Sequence, residues 1–305
     1  MYYHTIGKSL LLMFFLGFYS TNAQENNLFK ELNNLTNDKV TYSPPAFKAL
    51  QIGNLQSTKM VGQKEFYMLV AHRFGYLKGG INDFYGLDQA NTKIQFLYGI
   101  KKKIQIGISR DSYNKTYSGS GKVSIKKQSE SFPINLVLYN SMDINTLIKK
   151  ISYPGLLFFD RFAYTTQVLM SRRFSENLSL AITPVYVRKN LIDLNYTKNP
   201  ILTSNEPLSF ITEPWNQYLL ALGGRYKFSK RMSLNMDYAY NLSKNKNSLY
   251  KNPLTVGIDI ETGGHVFQLL FTNSRSSSDA VFLTETLGDW SKGDISFGFN
   301  ILRIF

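Results

Sequence analysis

Along most of this chain apolar and polar side chains alternate one for one. Met232, Leu234, Met236 and Tyr238 oppose Ser233, Asn235 and Asp237. Val256, Ile258 and Ile260 oppose Thr255, Gly257, Asp259 and Glu261, and Phe267, Leu269 and Phe271 oppose Gln268 and Thr272. A period of two belongs to a strand with one face in an apolar medium and the other in a polar one. Such runs, punctuated by turn residues, predict about twelve strands. They fall at roughly 64–74, 92–100, 103–113, 120–128, 133–146, 158–173, 177–190, 217–228, 231–242, 253–261, 264–273 and 293–304. The fourth has the least defined start, because Ser118-Gly119-Ser120-Gly121 carries no apolar alternation.

The connections add an independent signal. Every second one is short: Lys101 to Lys103, Ser129 to Phe132, Ser175-Glu176, Ser229-Lys230 and Thr262-Gly263. The intervening ones are generally longer, such as Gly75 to Asn91, Leu191 to Asn216 and Ser274 to Lys292. Short turns at one end and long loops at the other are characteristic of outer-membrane barrels. In the last strand Ile295, Phe297, Phe299 and Ile301 share one face, and Asp294, Ser296, Gly298 and Asn300 the other. The chain ends on Phe305, which resembles the carboxy-terminal signal by which bacterial outer-membrane barrels are recognised for insertion; Arg303 departs from the usual apolar residue there. The predicted fold class is therefore all-β, a closed antiparallel transmembrane barrel. A secreted β-sandwich would alternate equally well, but it explains neither the strand lengths nor the asymmetry of the connections.

Composition agrees. Aromatic residues make up 14 % and charged residues 18 %, with a mean hydropathy of −0.20. No apolar stretch approaches the ~20 residues of a membrane-spanning helix. The one compact apolar run, Leu10 to Phe18, follows Lys8 and precedes Thr21-Asn22-Ala23-Gln24, the pattern of a secretory signal peptide cleaved after Ala23. The organisation expected is a signal peptide at 1–23, a periplasmic or plug segment at 24–59 and a barrel at 60–305. Within the second, Leu28, Leu32 and Leu35 suggest a short amphipathic helix over Asn26 to Asn37, and Pro44-Pro45 breaks any helix. There is no cysteine, which removes disulfides, thiolate metal sites and a lipid anchor. The net charge of +14 suits lipid phosphates, an anion-attracting pore or solvated loops better than nucleic acid, given an exported chain with dispersed lysines.

Three stretches carry a family likeness: HRFGYLKGGINDFYGLDQAN (His72 to Asn91), GIDIETGGHVFQLLFTN (Gly257 to Asn273) and GDWSKGDISFGFNILRIF (Gly288 to Phe305). With RRFSENLSL (Arg172 to Leu180), they make the chain resemble a family of outer-membrane β-barrel domains of unknown function from Bacteroidetes-type bacteria. The resemblance runs over roughly Ala46 to Phe305 and implies a barrel in the outer membrane. It implies no activity, cofactor or catalytic residue.

Candidate chemistry is sparse. After the signal only His72 and His265 remain, at opposite ends of the predicted strands, so they cannot share a metal. A barrel-embedded lipid hydrolase would place a nucleophile two residues after a histidine, yet those positions hold Phe74 and Phe267. No enzyme activity is expected. The loop Gly79 to Asp88 offers Asp83 and Asp88 as a ligand or Ca²⁺ site, against the plainer reading of a tightly turned loop with Phe84 and Tyr85 packed on the wall. The expected lumen lining includes Asp143, Gln167, Arg225, Asn235, Asp237, Asp259, Glu261, Gln268, Asp294 and Asn300. A polar lumen of both signs points to a narrow passive channel for small polar, including anionic, solutes. It equally suits a closed barrel that presents loops to a partner. The expected partners are outer-membrane lipid, the barrel-assembly machinery during insertion and a small solute, for a monomer without cofactors.

Overall fold

The computed structural model describes residues 43–148, 155–191 and 213–305. The signal sequence and the helix expected over Asn26 to Asn37 lie outside them. The strands are β1 (Phe66–Tyr76), β2 (Ala90–Lys101), β3 (Ile104–Asp111), β4 (Thr116–Lys126), β5 (Asn135–Asn145) and β6 (Phe162–Arg173). They continue with β7 (Leu178–Lys189), β8 (Asn216–Lys227), β9 (Met232–Asn241), β10 (Leu254–Thr262), β11 (His265–Thr272) and β12 (Ser296–Ile304). Each pairs antiparallel with its sequence neighbours, and β12 returns to β1, so the sheet closes on itself. Closure matters because hydrocarbon offers no partner to an open edge.

Each expected strand is present, and the largest revision is to β4. It starts at Thr116, and Ser118 through Gly121 pair with Asp143 through Asn140 in unbroken register. The ladder there is made by backbone alone, which is why side-chain alternation gave no sign of it. As a result the β3–β4 connection, at the long-loop end, is only Ser112 to Lys115, turned by positive φ at Asn114 and Lys115. Phe158 to Arg161, expected to begin β6, form a 3-10 turn instead.

Side chains are arranged inside out relative to a soluble sandwich. Phe96, Ile106, Ile108, Leu138, Leu180, Leu234 and Leu269 are exposed on the outer wall, while Gln95, Gln105, Ser141, Gln167, Ser233 and Gln268 are buried within. That polarity fits a wall in contact with acyl chains. No helix among the described residues is long and apolar enough to cross a membrane. At the seam, the Phe305 N–H donates to the Phe66 carbonyl at 2.9 Å. The two rings lie 5.8 Å apart, and the Arg303 guanidinium sits over the Phe305 ring at 4.7 Å. An outward Arg303 is tolerated because it lies at the rim and covers an aromatic ring while its head reaches water.

Among the described residues, two segments enter the barrel. The first is the stretch before β1, from Ser43 to Glu65. The second is the β11–β12 connection, Asn273 to Ile295, which carries the helix α1 (Asp279–Thr284), every residue of it buried. Leu55 of the first and Ala280, Phe282 and Leu283 of the second share one apolar cluster with Val185, Val187, Leu219, Ala221 and Ala239 of the inner wall. The interior also holds smaller apolar clusters, such as Leu50, Val61, Leu69, Leu97 and Leu302, set among its buried polar side chains.

Candidate functional site

Among the described residues, many functional groups converge in the polar lumen, and the amino-terminal segment occupies it as a hairpin. Gln51 bridges Gln56, Ile52 N–H bonds the Leu55 carbonyl at 2.8 Å, and Ser57 N–H bonds the Leu50 carbonyl at 3.0 Å. The tip, Ile52 to Leu55, points into a ring of polar side chains from the seam side of the wall. Asp237 accepts the backbone N–H groups of Asn54 and Leu55 at 2.8 and 3.2 Å. The Asn54 amide donates to Thr255 and Thr272, and its carbonyl oxygen accepts from Arg73 at 2.6 Å. Asn300 donates to the Gly53 carbonyl at 3.0 Å, and Gln268 to the Ile52 carbonyl at 2.9 Å and to Asp259 at 2.7 Å. From the opposite wall the Lys122 ammonium donates to the Ser57 carbonyl at 2.9 Å. Space for the hairpin is made by inward glycines. A Cβ at Gly223 would lie 2.3 Å from Ile52, and one at Gly99 would lie 1.9 Å from the Gly62 carbonyl oxygen.

The second segment is held as closely. Asp111 accepts from the Ser276 and Ser278 hydroxyls, both at 3.1 Å, and from the Ser277 N–H at 3.0 Å, while Lys93 donates to the Ser277 carbonyl at 2.8 Å. Asp143 accepts the Ala280 N–H at 3.2 Å. Asp279 accepts from Tyr139 at 2.8 Å and Gln167 at 3.2 Å. It also accepts from Gln56 of the hairpin at 3.3 Å, so the two segments touch in mid-lumen. Nearer the long loops, Lys189 pairs with Glu285 at 2.6 Å. At the rim Lys251 lies 3.4 Å from Asp289, and hydrogen bonds from Ser291 hold that half-buried carboxyl below its ordinary pKa.

Of the residues expected to line the lumen, Asp143, Gln167, Arg225, Asn235, Asp237, Asp259, Gln268 and Asn300 are buried on the inner wall, and Glu261 is half-buried beside Arg225, its ion-pair partner. Asp294 is buried too, although not on β12 itself. It lies ahead of β12, in the turn after Trp290 to Lys292, where it pairs with Lys78 at the barrel mouth. Asp83 is used by its own loop, accepting the Gly86 N–H at 3.0 Å, and Asp88 is exposed. Phe84 and Tyr85 do not pack on the wall: they are exposed and adopt positive φ. His72 stacks on Phe299 at 5.1 Å on the outer wall and shares a hydrogen bond with Thr92. Among the described residues no cluster of three or more His, Cys, Asp or Glu could hold a metal.

Arg73, Lys93, Lys122, Asp111 and Asp279 were not anticipated, although they carry much of the lumenal bonding. For the first four the available signal was charge at the inward parity of a strand. For Asp279 it was the serine-rich run Ser274 to Ser278, which is unlike a solvated loop only once its buried partners are known.

A closed barrel with outward apolar walls and a filled polar lumen defines a transmembrane β-barrel. Residues 47–305 match the family described as "Membrane bound beta barrel domain (DUF5777)", and the chain belongs to that family. The match starts within the lumenal hairpin segment. No curated protein matches the chain. Among solved structures, the NanC porin is 8 % identical with a TM-score of 0.49, over 78 % of this chain and 98 % of that one. The KdgM porin is 9 % identical with a TM-score of 0.45, over 78 % and 99 %. LpxR from Salmonella typhimurium is 9 % identical with a TM-score of 0.37, over 78 % and 100 %. At these identities and scores the likenesses say nothing about function.

Proposed function

We propose that the protein is an outer-membrane barrel that passes small polar solutes, anions included, only when its lumenal hairpin is displaced. It is a gated pathway, closed in the arrangement described. One observation carries the reading: the hairpin tip is held by polar side chains, Asp237, Arg73, Gln268 and Asn300, which water can replace as hydrogen-bonding partners. Each of these bonds exchanges with water at a net ~1 kcal/mol, so displacement costs chiefly the apolar packing of Ile52 and Leu55. Export by a cleaved signal peptide, insertion by the assembly machinery and a periplasmic short-turn end belong to the same reading. Planar-bilayer recording of the full chain should show rare openings, and deletion of residues 46–60 should give sustained conductance steps. A folded deletion variant that stays silent across voltage would exclude a solute pathway.

A second reading has its own support. The apolar cluster joining Leu55 and Phe282 to Val187 and Leu219 is a packed core, as expected of a permanently closed barrel that presents its loops to a partner. Under that reading the deletion lowers stability and opens nothing.

A further inference from the structure

One patch of the inner wall gathers oxygens that no described residue bonds. Ser141 and Asp143 of β5 and Thr165 and Gln167 of β6 face inward, each at most 3 % exposed. The Ser141 and Thr165 hydroxyls, Asp143 Oδ1 and Gln167 Oε1 make no hydrogen bond. Nor does the hydroxyl of Ser118, the ladder partner of Asp143 on β4. Ser118 and Ser141 come near Asp143 and the Tyr139 hydroxyl without bonding them. Three adjacent strands thus hold five of the twelve such buried atoms among the described residues, and all five are oxygens.

Register gives the patch its shape. Ser141 and Thr165 are ladder partners, and so are Tyr139 and Gln167 one inward step along. Tyr139 and the Gln167 amide donate to Asp279 of α1, while Asp143, one step the other way, accepts the Ala280 N–H. Two carboxylates therefore flank the unbonded Ser141 and Thr165 hydroxyls. The neighbouring ammonium groups are engaged elsewhere: Lys93 donates to the Ser277 carbonyl and Lys122 to the Ser57 carbonyl. Buried carboxylates are costly unless a cation stands against them.

We propose that this patch binds one Ca²⁺ ion, with oxygens from Asp143, Asp279, Ser141, Thr165 and Gln167. Ca²⁺ takes about six to eight oxygens, carboxylate and neutral alike, in flexible geometry, and water completes the set. Mg²⁺ demands a near-ideal octahedron and keeps its own water, so it suits an enclosed set of side chains less well. Water alone would satisfy the hydroxyls and leave the charge of the facing carboxylates unanswered. The ion joins β5 and β6 to α1, and so pins the β11–β12 segment to the wall whether or not the hairpin moves.

The full chain refolded into detergent micelles should unfold at a higher temperature with Ca²⁺ than with a chelator, because a ligand of the folded state alone stabilises it. Terbium in place of Ca²⁺ should give emission sensitised by Tyr139, and Ca²⁺ should compete it away. Asp143→Asn should abolish both effects. Thr165→Val keeps the charge and removes one oxygen, and should weaken Ca²⁺ binding about tenfold. Asp88→Asn, in the exposed loop, should change neither effect. The heat-dependent gel shift of folded barrels confirms folding, and Thr165→Val carries the test if Asp143→Asn does not fold. A wild-type chain indifferent to Ca²⁺, leaving ordered water as the occupant, or a Ca²⁺ effect that survives both variants would overturn the proposal.

Discussion

Two residues show how the wall and its filling depend on each other. The Asp237 carboxylate accepts two backbone N–H groups of the hairpin tip, and nothing else among the described residues accepts them. Asp237→Ala should leave both buried and unpaired, costing about 1–3 kcal/mol in denaturant unfolding from lipid vesicles. On the gated reading it should also raise the open probability in bilayers. Gly99 tests packing rather than polarity. Its absent Cβ leaves room for the Gly62 carbonyl, while its own carbonyl accepts the Lys64 N–H at 2.7 Å. Gly99→Ala should destabilise by about 1–3 kcal/mol, since backbone cannot yield as a side chain can. The inward parity of Asp237 was legible from strand alternation; its partners were not. A period-two pattern states which side of a wall a residue faces, and says nothing of what stands against it.

At the scale of elements, the strands were legible and the filling only in part: a plug within 24–59 was one of two expectations, and the β11–β12 segment was not expected inside. Strands advertise themselves because each residue samples lipid or lumen in turn. β4 shows the limit: Ser118 to Gly121 form a ladder with no apolar signal at all. The hairpin and α1 follow neither period cleanly, because each meets a mixed surface, apolar towards Val187 and Leu219 and charged towards Asp111 and Arg73. Asp111→Ala should free the serine run, since it removes the acceptor of three hydrogen bonds. The expected result is faster protease cleavage within residues 273–295 from the long-loop side, with β-sheet circular dichroism unchanged. Unchanged cleavage would mean that the apolar contacts of Phe282 and Leu283 hold the segment alone.

At the scale of the molecule, the closing pair β1–β12 decides whether there is a barrel. Removal of Phe305 deletes the last seam hydrogen bond and the ring against Phe66. It should slow insertion into the membrane, measured as delayed protease resistance after synthesis, while barrels that do assemble remain folded. Arg73 ties this seam to the filling. Fully buried on β1, it donates to the Phe299 carbonyl at 3.2 Å and the Asn300 side chain at 2.9 Å across the seam, and to Asn54 of the hairpin.

That placement favours one order of assembly. The cation on the first strand sheds its water at least cost when wall and hairpin acceptors are both in place, so the first and last strands should close most readily around a hairpin already between them. The tip is thus a mandrel for the cylinder as well as its stopper, and chains without it should close more slowly than the full chain, while those that close remain folded.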